Sequence, residues 1–144
     1  MKATLAKVAF EKTRQILICN LKMAKILKKI GAMGEKLAED FLRKKGFRIL
    51  EKNFTIRGGE LDLICEFENE IVFVEVKTRR SRKFGEIVAQ ISPRKIESLI
   101  FAAQTFLEKR GWENRDFRID LITVFQNENF PPKIEHFENF VDRF

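Results

Sequence analysis

Charged side chains interrupt the most apolar stretch of this 144-residue chain, between Glu60 and Lys77. The stretch reads as two strands joined by a polar turn at Glu68-Asn69-Glu70. Successive side chains of a strand point to opposite faces, so residues two apart share one. Glu60, Asp62 and Ile64 then lie together, opposite Leu61, Leu63 and Cys65; on the next strand Ile71, Phe73, Glu75 and Lys77 share a face, opposite Val72, Val74 and Val76. A strand apolar on both faces belongs in the middle of a covered sheet. Charges are rarely placed there without a partner.

Two carboxylates, Asp62 and Glu75, held together in a poorly solvated place repel and desolvate each other. A cation between them removes that penalty, and a hard oxygen site suits Mg²⁺, with Mn²⁺ as the other ion of this kind. Lys77, one pleat repeat beyond Glu75, is placed to polarise a water or a phosphate oxygen. That is phosphodiesterase chemistry. The same residues also admit a plainer reading, a strand-edge ion pair between Glu75 and Lys77 with Asp62 marking a turn. Against it, Glu75-Val76-Lys77 is the only acid-x-Lys in the chain and falls inside its most apolar strand.

Directly after it, Lys77-Thr78-Arg79-Arg80-Ser81-Arg82-Lys83 carries five cations in seven residues. Clustered cations beside a carboxylate centre fit a phosphate backbone, with Arg79, Arg80, Arg82 and Lys83 as the contacts. A solvated basic loop is the other reading of that run. The net charge of +7 says less, because residues 1–30 hold eight Lys/Arg against Glu11 alone, and the remainder is balanced.

The elements that must position these residues follow from periodicity and punctuation. Residues 3–30 draw as a helix with Leu17, Leu21, Ala24 and Leu27/Lys28 on successive turns and lysines over much of the rest. It reads as a nucleic-acid arm, a membrane-surface helix, or an accessory upstream segment, Met23 and Met33 being internal starts. Gly31 to Glu35 then opens a helix with Leu37, Ala38, Phe41 and Leu42 on its apolar face, ended by Gly46. Glu35, in the first turn, suits the positive end of the helix dipole. Phe47–Arg57 is a strand, and Gly58-Gly59 a hairpin signal. Ser81 to Ile91 reads as a loop with Phe84-Gly85 at its tip. Ser92-Pro93 starts a second helix that Gly111 stops, with Ile96, Leu99, Ile100, Ala103, Phe106 and Leu107 as its stripe. Lys95 in its first turn is either exposed or reaches the cleft. Phe117–Gln126 is a fourth strand, Asn127–Pro132 a loop and Lys133–Phe137 a short edge strand carrying His136, read as structural or exposed.

The expected domains are an extension, 1–30, and one folded domain, 31–144. No apolar run approaches the roughly 20 residues of a membrane span. Neither a secretory leader nor a metal-spaced cysteine pair is apparent: Cys19 stands alone and Cys65 reads as a buried thiol. Cytoplasm is the expected location.

The order helix, three-strand meander, helix, strand, with acids on the second and third strands, resembles the restriction-endonuclease-like nucleases with their PD-(D/E)xK signature. More closely, Gly31-x-x-Gly34-Glu35-x-x-Ala38, Leu42, Gly46, Ile49-Leu50 and Asn53 resemble the YraN-type family of uncharacterised bacterial proteins. The match continues through Gly59–Ile64, Val72–Arg79, Phe84-Gly85, Lys95 and Phe117–Asp120. The resemblance extends in fold to Holliday-junction resolvases. It implies an α/β fold with an α-β-β-β-α-β core and a mixed central sheet. It further implies that Asp62 and Glu75 bind the divalent metal, that Lys77 assists the water, and that Glu35 joins them from the first helix in place of its dipole role. No proline precedes Asp62; Leu61 stands there. The implied activity is endonucleolytic cleavage of structured or branched DNA, Arg79, Arg80, Arg82, Lys83 and Lys95 contacting nucleic acid and a homodimer serving symmetric cuts. The alternative is a nucleic-acid-binding module of nuclease fold with little or no activity.

Overall fold

The structure, a computed structural model, describes residues 2–80 and 91–143. The chain divides into two compact units, residues 1–33 and 34–144. Helix α1 runs without a break over Lys2–Lys44, so the expected helix start at Gly31 to Glu35 is not found. Alanine, leucine and lysine dominate the upstream segment, and these residues cost little in a helix. Gly31 and Gly34 together do not stop it. Glu35 accordingly sits in a helix interior, far from any N-terminus, and the dipole reading of it fails.

The second unit is built around one sheet in the order β1-β2-β3-β4-β5, formed by Arg48–Ile56, Gly59–Phe67, Glu70–Arg79, Phe117–Asn127 and Phe130–Phe137. The first three strands form the expected antiparallel meander. Glu68 and Asn69 make the β2–β3 turn with φ of 51° and 67°, the left-handed pair that matches strand twist. β3 and β4 run parallel, which requires a long crossover; helix α2, Pro93–Arg110, lies on it. The core order is thus α-β-β-β-α-β with a mixed sheet, as expected, followed by β5 and a short 3-10 turn, Phe140–Arg143. β5 begins three residues before the expected Lys133. Pro131 and Pro132 are compatible with it because an edge strand leaves one side of its backbone unpaired.

The sheet is covered on both faces. On one, Ile96, Leu99, Ala103 and Phe106 of α2 pack on Leu61, Ile64, Ile71, Phe73, Ile119 and Leu121. On the other, Ala38 and Leu42 of α1 pack on Leu63, Cys65, Val72, Val74, Ile122 and Val124. Two glycines set how closely the helices approach. A Cβ on Gly34 would stand 1.9 Å from Thr78 Oγ1, and one on Gly59 would stand 2.7 Å from the Ser98 carbonyl oxygen. α1 is thereby pressed on the end of β3, and the first turns of α2 on the start of β2.

Leu61 departs from the expected alternation, joining Ile64 on the α2 face while Leu63 and Cys65 face α1. The reason lies in the ladder. The β2–β3 register ends at Leu63↔Val74, and beside that end Asn53 of β1 takes a φ of 54° while Phe54 and Leu61 stay paired and both turn toward α2.

Candidate functional site

The opening between β2 and β3 is where the charged residues gather. Val76 directs its amide toward β2, and with the backbone ladder ended it donates to Asp62 Oδ2 at 2.8 Å. The acid thus inserts into the gap and satisfies an otherwise unpaired N–H. Next to it, Glu75 is only 3 % exposed. Its Oε1 lies 2.8 Å from Lys77 Nζ and 3.2 Å from Lys95 Nζ. The first contact follows from the two-residue period of β3. The second follows from the cap of α2: Ser92 Oγ accepts from the Lys95 amide at 3.1 Å, which fixes the first turn and sends the Lys95 side chain to the sheet. Lys95 therefore reaches the cleft.

The other Glu75 oxygen, Oε2, is buried with no hydrogen-bond partner, and among the described residues Thr123 Oγ1 is in the same position. Thr123 is the register partner of Lys77 and lies on the Glu75 side of the sheet. Leaving such atoms unpaired is costly. They mark a place where polar coordination is incomplete.

The electrostatics agree. Burial, then the Glu75 carboxylate, push Asp62 up to about 7, with Glu35 adding to the rise, while the Val76 amide and Lys95 oppose it. Glu35 is also raised, by burial first and then by Glu60 and Glu75, against Lys52. Four acids from α1, β2 and β3 thus act on one another at one end of the sheet. Among the described residues, however, no three His, Cys, Asp or Glu side chains stand close enough together to form a complete cation cage. Asp62 and Glu75 remain as a pair of hard oxygen donors. That suits a Mg²⁺ ion, which keeps several waters and takes one or two carboxylates plus substrate phosphate. The orphaned Glu75 oxygen and the raised Asp62 carboxyl both fit such an ion.

Of the expected nucleic-acid contacts, Arg80 is exposed and Arg79 is half-buried, its Nη1 donating to the Thr78 carbonyl at 2.9 Å. Arg82, Lys83, Phe84 and Gly85 lie outside the described residues.

A second polar cluster escapes sequence reasoning. Asp120 is fully buried. It accepts from Arg118 Nε at 3.0 Å, His136 Nε2 at 2.8 Å and the Asn139 amide at 2.8 Å. Burial pushes its carboxyl up, but His136, Arg118 and Asn139 together hold it below the usual range. The Lys45 ammonium approaches His136 Nδ1 at 2.9 Å, leaving the proton on Nε2 for Asp120. His136 is therefore interior and structural, the first of the two readings that its place on the last strand allowed. Glu39 of α1 is also buried and pairs with Arg43 and Lys52 at 3.0 and 3.1 Å. Only the packed fold brings Lys52 beneath it.

The fold and this constellation define a mixed α/β protein with a split, acid-lined sheet end. Residues 34–124 match the model of the uncharacterised protein family UPF0102. A UPF0102 protein from Syntrophomonas wolfei is 45 % identical over 112 residues, covering 78 % of this chain and 96 % of the relative. One from Caldanaerobacter subterraneus is 42 % identical over 106 residues, covering 73 % and 87 %. One from Hahella chejuensis is 43 % identical over 93 residues, covering 65 % and 75 %. The chain belongs to the UPF0102 family, the YraN-type family that its motifs resemble.

Proposed function

We propose that this protein is a metal-dependent endonuclease that hydrolyses phosphodiester bonds in structured or branched DNA. The observation that carries the reading is the state of Glu75: one oxygen is held by two lysines and the other is buried without a partner, while its charge acts on the Asp62 carboxyl. A divalent ion bound by Asp62 and Glu75 would supply charge neutralisation at a phosphate oxygen and acidify a bound water. Lys77 holds the attacking water or the phosphate oxygen from the Glu75 side. Lys95 fixes the Glu75 carboxylate and offsets developing negative charge. The water oxygen forms a bond to phosphorus, the bond from phosphorus to the leaving sugar oxygen breaks, and that oxygen takes up a proton. Arg79 and Arg80 at the end of β3 hold the backbone by charge without reading bases. A homodimer would supply the second centre for symmetric cuts.

The test is cleavage of four-way-junction and linear duplex DNA with Mg²⁺ or Mn²⁺, comparing wild type with Glu75→Gln. Expected is junction cleavage lost by at least about 100-fold in the variant, on the scale of removing an electrostatic stabiliser. Equal activity in both proteins would make the cleavage a contaminant. Salt-sensitive DNA binding without any cutting would support instead the binding module, a reading favoured by Lys77 and Lys95 already neutralising Glu75.

A further inference from the structure

Outside the split sheet end, the most unusual surface is the helix of the first unit. Its residues from Leu5 to Met33 include large apolar side chains left in water, among them Leu5 and Phe10 at 71 % exposure. Single exposed apolar residues need no explanation, but a contiguous set does. At about 100° per residue, Leu5, Val8, Ile16, Met23, Ile26 and Leu27 fall within one arc of about 100°. Lys7, Arg14, Lys22, Lys25 and Lys29 fall within a separate arc of about 80° by the same count. Lys12 lies on the apolar side, Ile18 lies within the cationic stripe, and Phe10, Leu17 and Leu21 flank its far edge together with Lys28. Glu11 is the one acid in the segment. Among the described residues, no helix is long and apolar enough to cross a membrane.

We propose that this helix docks lengthwise on an anionic lipid surface. An apolar face beside a Lys/Arg stripe, with little overall hydrophobicity, is the composition of a helix lying in a bilayer interface. The whole net positive charge of the chain sits in this unit, so the electrostatic complement is a negative surface. Nucleic acid would use the cations and leave the apolar arc in water. A second copy could cover that arc, since Ile16, Met23 and Ile30 recur at heptad spacing. It would then place Lys22 and Lys29 at the flanks with no acid to meet them, where paired helices carry opposite charges. Anionic lipid engages both features at once. The stretch precedes the family match, which begins at residue 34, so the docking is a property added to the family domain.

The experiment is flotation of the full chain with phosphatidylcholine vesicles prepared with and without phosphatidylglycerol. Binding to the phosphatidylglycerol vesicles should be at least about tenfold stronger and should fall about tenfold from low to high salt. The double variant Met23→Asp, Leu27→Asp should lose flotation while keeping wild-type junction-DNA binding and the cooperative melt of residues 34–144. Lys22→Glu, Lys25→Glu should weaken flotation, with the helix still present by circular dichroism. The proposal is overturned if wild type fails to float. It is equally overturned if the apolar variant floats as wild type does, or if its only defect is loss of a dimer seen by light scattering without lipid.

Discussion

Replacing Asp62 by Asn should make the metal-free protein more stable, although it removes a residue of the candidate site. In the folded chain the Asp62 carboxyl titrates near 7, because it is buried and faces Glu75. In the unfolded chain it titrates near the ordinary 3.8. The native state therefore holds a proton that the unfolded state has lost, so native stability falls as pH rises from 4 to 7 and levels off above. One pKa unit is about 1.4 kcal/mol, so the ceiling on this loss is about 4 kcal/mol. Solvent reaching the partly open site reduces it to on the order of 1–3 kcal/mol. Asn keeps the shape and can still accept from Val76 N–H, but carries no charge. At about 2–4 °C per kcal/mol for a chain of this size, the variant should melt about 2–12 °C higher at pH 8. At pH 4.5 the two melting points should converge, because Asp62 is then protonated in the folded wild type. Saturating Mg²⁺ at pH 8 should raise the wild type and not the variant, narrowing the gap from the other side. Thermal melts by circular dichroism across pH, read as the difference between the two proteins, cancel the titration of groups that do not interact with Asp62. A variant that is less stable at pH 8, or a gap that does not change with pH, would refute the account of repulsion at the split sheet end.

Asp120→Ala should destabilise by about 3–5 kcal/mol, because Arg118 and His136 lose a buried partner; urea denaturation measures it. Gly34→Ala in an exposed helix would add about 1 kcal/mol of stability, but the 1.9 Å approach of Thr78 Oγ1 reverses the sign. A loss of about 1–3 kcal/mol is expected, recovered in large part in a Gly34→Ala, Thr78→Gly double variant, and a lack of coupling in that cycle would contradict the close approach. Cys65, pushed up to about 12 by burial, should resist iodoacetamide in the native protein while exposed Cys19 is labelled; mass spectrometry of the alkylated peptides distinguishes them.

Much of the architecture was legible because short-range rules govern it. The alternation in β3 put Ile71, Phe73, Glu75 and Lys77 on one face, and the structure keeps them there. Ser92-Pro93 and Gly111 marked the ends of α2, which runs from Pro93 to Arg110. β5 starts at Phe130, inside the expected loop, because an edge strand tolerates Pro131 and Pro132. The helix start at Gly31 was misread because two glycines cost less than the breaking of a long, otherwise favourable helix, in which every break leaves backbone groups to be capped. Glu35 changed its meaning with that correction, from a dipole partner to a carboxyl acted on by Glu60 and Glu75.

By itself, the amino-acid sequence determined which side chains share a strand face, where α2 is capped, and that one apolar strand carries an acid and an amine two residues apart. These depend on periods of two and 3.6 residues and on the chemistry of a few capping positions. Only the tertiary structure decided that β2 pairs with β3 from Leu63 onward and not before it, so that Asp62 caps Val76, and that Lys95 reaches across from α2 to the Glu75 oxygen that Lys77 also holds. It alone buried Asp120 between Arg118 and His136. Those contacts join residues far apart in the chain, and their geometry is set by how closely two helices can press on the sheet, which no local pattern of residues encodes.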